Sequence, residues 1–199
     1  MNDIPKKGRG RPRSVKSQQA ILQATIELLG EVGFERLSIE AIARRAQVGK
    51  TTIYRRYKSK EELVADAIES LRSEIVIPDT GSLWSDLDSL VKDAAQISLS
   101  AMGRKTVGAI IGTASNNSQF AQIYQAKYLQ PRRQAFAVIL ARAKARKEIR
   151  SSIDSDLIFD LMSGIMLHAL VFPSSTESWE TYIRRALRFI MKEDCQVQD

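Results

Sequence analysis

The sequence predicts an all-α protein in two parts, a small N-terminal three-helix head and a larger helical domain behind it. Three observations carry this. Apolar residues recur at helical spacing along almost the whole chain, and no Val/Ile/Thr alternation of period two marks a strand. Two short helical patterns flank a break at Gln47–Gly49; three residues cannot bring a helix back alongside its predecessor, so the two must cross steeply as a helix-turn-helix. Charge is also segregated. Residues 1–60 hold 14 Lys+Arg against 5 Asp+Glu, whereas residues 61–199 hold 16 against 18, so the formal net charge of +7 resides in the N-terminal third. That is the electrostatic footprint of a head that meets a polyanion.

Taken in order, residues 1–14 (MNDIPKKGRGRPRS) read as a flexible basic arm, broken by Gly and Pro and with almost nothing to bury. Arg9-Gly10-Arg11-Pro12 resembles the core of an AT-hook. Arg9 and Arg11 could enter a narrow minor groove, where the potential is most negative, or the arm could simply aid solubility. Ser17 to Val32 is the first helix, with Ile21, Ala24, Thr25, Leu28, Leu29 and Val32 on one face and Gly33 as its stop. Phe34 and Leu37 should close a three-helix core with Ile42 and Ile53. In the second helix Ile39, Ile42, Ala43 and Ala46 share a face, and in the third Ile53 and Tyr57 do.

With Ile53 and Tyr57 turned inward, Lys50, Thr51, Thr52, Tyr54, Arg55 and Arg56 face out or sideways. Cations, hydroxyls and a phenol are what a helix needs to meet phosphates and base edges in a major groove. Lys50, Thr51 and Arg55 are the expected base-edge contacts; Thr52, Tyr54, Arg56 and Lys60 are the expected phosphate contacts. Ser59-Lys60-Glu61-Glu62 opens a fourth helix as a capping box. The head spans residues 15–60, and 61–77 form a connecting helix through Leu63, Ala67, Ile68 and Leu71.

The run from Leu37 to Leu63 resembles the DNA-binding signature of the TetR family of bacterial transcriptional regulators. Ile42-Ala43, Ala46, Val48, Ile53-Tyr54, Tyr57, Lys60 and Leu63 fall in its register. The sequence departs at the turn, where the family's usual Gly is Gln47, and at the cap, where its usual Ser is Gly49. A non-Gly residue at positive φ costs roughly 1 kcal/mol, and Gly at a cap loses only a few tenths against Ser. The resemblance associates Lys60 with a phosphate. Gly49-Lys50-Thr51 also imitates the end of a P-loop, but that motif needs Gly at the position of Arg44 and a preceding strand.

Pro78-Asp79-Thr80-Gly81 is the turn before a second domain, 82–192. Its helices run over 82–101, 105–115, 119–129, from Pro131 to about Lys147, from the cap Asp154 to Val171, and over 179–191, giving about nine to ten helices in the chain. The 154–171 helix is apolar beyond one stripe, which suits burial by its own domain and by a second copy. The resemblance implies a homodimer joined by a four-helix bundle and a body that encloses a small molecule. Candidate lining residues are Trp84, Phe120, Tyr124, Tyr128, Phe136, Met162, Met166 and His168, each also explained as plain core by helical spacing.

The single cysteine, Cys195, and the single histidine, His168, leave no intrachain disulfide, no Cys/His metal cage and no imidazole relay. Neither metal nor cofactor is expected, nor is catalysis. No apolar run approaches a membrane span, and the expected setting is soluble and cytoplasmic. The reading is a ligand-responsive regulator, acting as a repressor on double-stranded operator DNA and released by an unidentified small-molecule effector. The alternatives are an architectural or non-specific DNA-binding protein, and an enzyme carrying an incidental helix-turn-helix.

Overall fold

The computed structural model describes residues 11–71 and 76–193. Among them are ten α-helices: α1 (Arg11–Arg36), α2 (Ile39–Arg45), α3 (Lys50–Tyr54), α4 (Lys60–Glu69), α5 (Leu83–Ser98), α6 (Ala101–Asn116), α7 (Ser118–Tyr124), α8 (Gln130–Ala145), α9 (Ser155–Val171) and α10 (Trp179–Glu193). No strand occurs among the described residues. The chain divides into two compact units, residues 1–72 with 108–124, and residues 73–107 with 125–199. This differs from the contiguous division read from the sequence: α4, the second part of α6 and all of α7 belong with the head.

In the first unit α1 begins at Arg11, so the last four residues of the expected arm are helical. Gly33 breaks the helix at φ 74°, ψ 172°, as its sequence position suggested. Ile21, Leu28, Phe34, Leu37, Ile42, Ile53, Tyr57, Leu63, Val64 and Ile68 are buried together with Phe120 and Tyr124 of α7. Val32, placed on the apolar face by spacing, is instead 40% exposed, since it lies on the last turn before the break.

The helix-turn-helix corner is a Schellman turn. The Val48 N–H donates to Ala43 O at 3.0 Å and the Gln47 N–H to Arg44 O at 3.3 Å, with Gln47 at φ 53°. Gln47 thus occupies the left-handed position that the missing glycine would have eased. Gly49 is the N-cap of α3 without a side-chain bond, and Ser59 caps α4 by accepting the Glu62 N–H at 3.1 Å. The Glu62 carboxylate reaches back to the Lys58 N–H at 2.9 Å, closing the box one residue earlier than the standard pattern. The connecting helix stops at Glu69, and residues 76 and 77 are non-helical.

The second unit is built on Leu83, Leu87 and Val91 of α5, Phe136, Ile139 and Leu140 of α8, Ile158 and Met162 of α9, and Trp179, Ile183, Leu187 and Met191 of α10. Ser82 makes no cap bond, so the Leu83 N–H is met from a distance by Glu148 Oε2 at 2.6 Å. Asp86, fully buried, accepts the Thr80 N–H and hydroxyl, both at 2.7 Å. These bonds fasten the start of α5 to the turn before it and to the corner after α8. Gly103 lies inside α6 rather than interrupting it; the break falls at Leu99–Ser100. Gln125–Leu129 is a π-helical turn that joins α7 to α8 without a loop. Pro131, lacking an N–H, sits just after it and favours such a widened turn.

Candidate nucleic-acid interface

The third helix is five residues long and has one buried side chain, Ile53. Its remaining positions divide by what holds them. Thr51, Tyr54 and Arg55 are exposed, Tyr54 by 59%, and Thr52 is half-buried. Lys50 Nζ lies 2.9 Å from Glu40 Oε1 in the first turn of α2, with both side chains about half exposed. The hydrogen bond from Lys50 lowers the Glu40 pKa, and the same bond raises that of Lys50. Lys50 is therefore fully charged at neutral pH, and must exchange one anion for another to meet DNA.

Arg56 is half-buried and donates to Gln18 Oε1 at 3.2 Å, while Gln18 Nε2 donates to the Tyr57 hydroxyl. A single α1 amide thus orients the end of the reading segment. Arg45 is also committed. It forks onto both Glu31 oxygens at 2.9 Å and reaches Glu27 at 3.3 Å, which raises its pKa, Glu31 contributing first. Lys60 Nζ donates to Phe34 O at 3.0 Å and to Leu37 O at 3.2 Å. Tertiary neighbours that no sequence spacing announces have claimed this ammonium. Arg9 lies outside the described residues, and Arg11 supplies the first residue of α1.

Glu40, Gln18, Glu27 and Glu31 were not picked out from the sequence. Only Glu27 and Glu31, four apart on α1, left a trace there, as a pair of carboxylates on one helix face.

The eight candidate lining residues are divided between the two units. Phe120 and Tyr124 belong to the first unit, where Phe120 packs against Phe34 at 6.1 Å and stacks on Tyr124 at 5.7 Å. In the second unit Phe136 is core against Phe159 at 5.9 Å, and Met162 is core beside it. Trp84 is 41% exposed beneath Arg188, and Tyr128 lies under Lys127 in the π-helical turn. A cleft of about 450 Å³ does open in this unit among Leu99, Arg104, His168, Phe172, Trp179 and Tyr182. Of the eight, His168 alone lines it, while Met166 lies behind it and accepts the Trp179 indole N–H at 3.4 Å. Helical spacing marks a position as inward-facing; it does not say which neighbours it faces.

The family described as "Bacterial regulatory proteins, tetR family" matches residues 21–67, and "Tetracyclin repressor-like, C-terminal domain" matches residues 77–190. The chain is 30% identical over 177 residues to the HTH-type transcriptional regulator YdeS of Bacillus subtilis, covering 88% of each. It is 28% identical to the DNA-binding transcriptional repressor TetR of Mycobacteroides abscessus, over 81% of this chain and 84% of that one. Among solved structures it is similar to the TetR family transcription regulator SCO0332, with TM-score 0.66 and 26% identity over 89% of this chain and 97% of that one. The flavonoid-responsive regulator FrrA shares the fold at TM-score 0.68 and 22% identity, over 90% of this chain and 97% of that one.

Proposed function

The chain belongs to the TetR family of bacterial transcriptional regulators, and from that premise we propose that it is a homodimeric repressor which grips operator DNA through paired α3 helices and is released by a small molecule. The observation that carries the DNA contacts is the exposed face of α3, anchored through Ile53 and flanked by a head with an excess of cations. Lys50, Thr51 and Arg55 read base edges; Thr52, Tyr54, Arg56 and Lys60 hold phosphates. Among the described residues no helix is long and apolar enough to cross a membrane.

One five-residue helix reads too few bases for a unique site, and a twofold pair reads two half-sites about 34–36 Å apart or multiples of that. Support for the pair lies on α9 and α10. Leu157 is 56% exposed and Leu161 42%, four apart on one face of α9, and Phe189 of α10 is 64% exposed. Large apolar side chains left out in such number along two adjacent helices are the mark of a surface that a partner covers. Release follows if the effector prefers the dimer conformation in which the two reading helices are wrongly spaced, since differential affinity alone shifts the population.

The experiment is selection of bound fragments from random DNA, followed by titration of the selected operator and a scrambled duplex. Arg55→Ala should cost the operator about 1–3 kcal/mol, roughly 10- to 100-fold, and leave the scrambled duplex nearly unchanged. Equal losses on both duplexes would remove Arg55 from the base contacts. A wild-type chain with no preference for its selected sequence would favour the architectural reading.

A further inference from the structure

Lys50 opens α3, and the N-terminal end of a reading helix is the end that meets base edges. Its Nζ lies 2.9 Å from Oε1 of Glu40, in the first turn of α2, and each side chain is 54% exposed. Glu40 is the single carboxylate of residues 37–60, a stretch with seven Lys and Arg. Elsewhere on the head, Glu27 and Glu31 are taken up by Arg45 and tie α1 to α2. The Glu40–Lys50 pair instead links the two helices of the reading motif, and does so in contact with solvent. An ion pair so exposed adds little to stability. Its place on the reading surface therefore asks for another account.

When Lys50 turns to DNA, Glu40 loses its donor just as a polyanion approaches. Phosphates offer a carboxylate only repulsion. In the major groove its donors are the exocyclic amines of cytosine and adenine. Adenine N6 sits beside N7, an acceptor that repels a carboxylate. Cytosine N4 has no acceptor beside it on its own ring, and guanine O6 across the pair is a site that an ammonium fills. An ammonium and a carboxylate side by side thus match the major-groove edges of guanine and cytosine. Heads 2.9 Å apart fit within one base step, whose rise is about 3.4 Å.

We propose that Glu40 is a specificity-determining residue, which accepts from a cytosine N4 amine in each half-site, in the base pair that Lys50 reads or the one beside it. Over thymine or guanine the freed carboxylate has no donor and faces the duplex uncompensated. The same side chain therefore favours the right sequence and weakens binding to wrong ones. The proposal rests on the DNA-binding reading given above.

The test repeats the selection from random DNA with full-length wild type, Glu40→Ala, Glu40→Gln and Lys50→Met. Each protein is then titrated with the wild-type operator, with operators altered at the cytosine, and with a scrambled duplex. The wild-type selection should show a cytosine in each half-site, paired with or one step from a guanine whose preference falls in Lys50→Met. Glu40→Ala should cut the cytosine preference and the ratio of operator to scrambled affinity, each about tenfold, with an unchanged thermal melt. Glu40→Gln should shift the preference toward adenine, because an amide matches N6 and N7 together.

Three results would overturn the proposal. Equal gains on operator and scrambled duplex in Glu40→Ala would make Glu40 a mere competitor for Lys50. Equal losses on both would make it a structural support. A wild-type selection with no cytosine within a step of the Lys50 position would remove the base contact while the DNA-binding reading stood. A wild type with no sequence preference at all would overturn both.

Discussion

Replacing Ile53 tests whether the reading helix hangs on one side chain. Ile53 is fully buried and is the only buried residue of α3. Ile53→Ala deletes three carbons, worth about 2.4 kcal/mol at about 0.8 kcal/mol per buried methylene. The cavity left in the core raises the expected loss to about 3–4 kcal/mol, inside the usual range for such truncations. Ile53→Val deletes one carbon and should cost about 1 kcal/mol. A helix of five residues cannot sustain itself without docking, so the loss should appear first as local opening. Hydrogen exchange of the α2 and α3 amides reads that opening, and urea unfolding reads the total. Operator affinity should hold for Val and fall for Ala, by the factor to which the docked population has dropped. An Ala variant within about 1 kcal/mol of wild type, with α3 amides still protected and DNA binding intact, would refute the reasoning.

Three further outcomes follow from other parts of the fold. Gln47→Gly should stabilise the head by about 0.5–1 kcal/mol, because relief of the left-handed strain at φ 53° outweighs the added freedom of the unfolded chain; thermal melts of Gln47→Gly and the strained Gln47→Val should move in opposite directions. Leu161→Glu places a charge in the apolar face of α9 and should leave a folded monomer by sedimentation, with operator affinity reduced; a stable dimer would send the search for the seam elsewhere. Glu148 has its pKa held below the usual glutamate range, first by the bond from Arg146 and then by the Leu83 N–H. Its contribution is complete above that range and is lost as pH falls through it toward the depressed folded value, because the unfolded chain then binds the extra proton. Urea midpoints measured from pH 6 down to about 3 should fall more steeply for wild type than for Glu148→Gln.

Local chemistry alone determined where this chain turns and what it shows at each turn. Gly33 breaks α1, Gln47 closes a Schellman turn, and Ser59 and Asp154 cap their helices because each effect acts within about four residues. The same short range makes Ile53 and Tyr57 inward and Tyr54 and Arg55 outward along residues 50–57. The tertiary structure decided what each side chain meets. Lys50, Lys60 and Arg45 are three cations of one basic head, alike in sequence, yet they face a carboxylate of α2, two carbonyls with an aromatic ring, and a carboxylate pair of α1. Phe120 and Phe136 carry the same helical signature but serve the cores of different units. A period of 3.6 residues records that a face is buried. The identity of the surface that buries it depends on segments dozens of residues away, and only the packed chain brings those together.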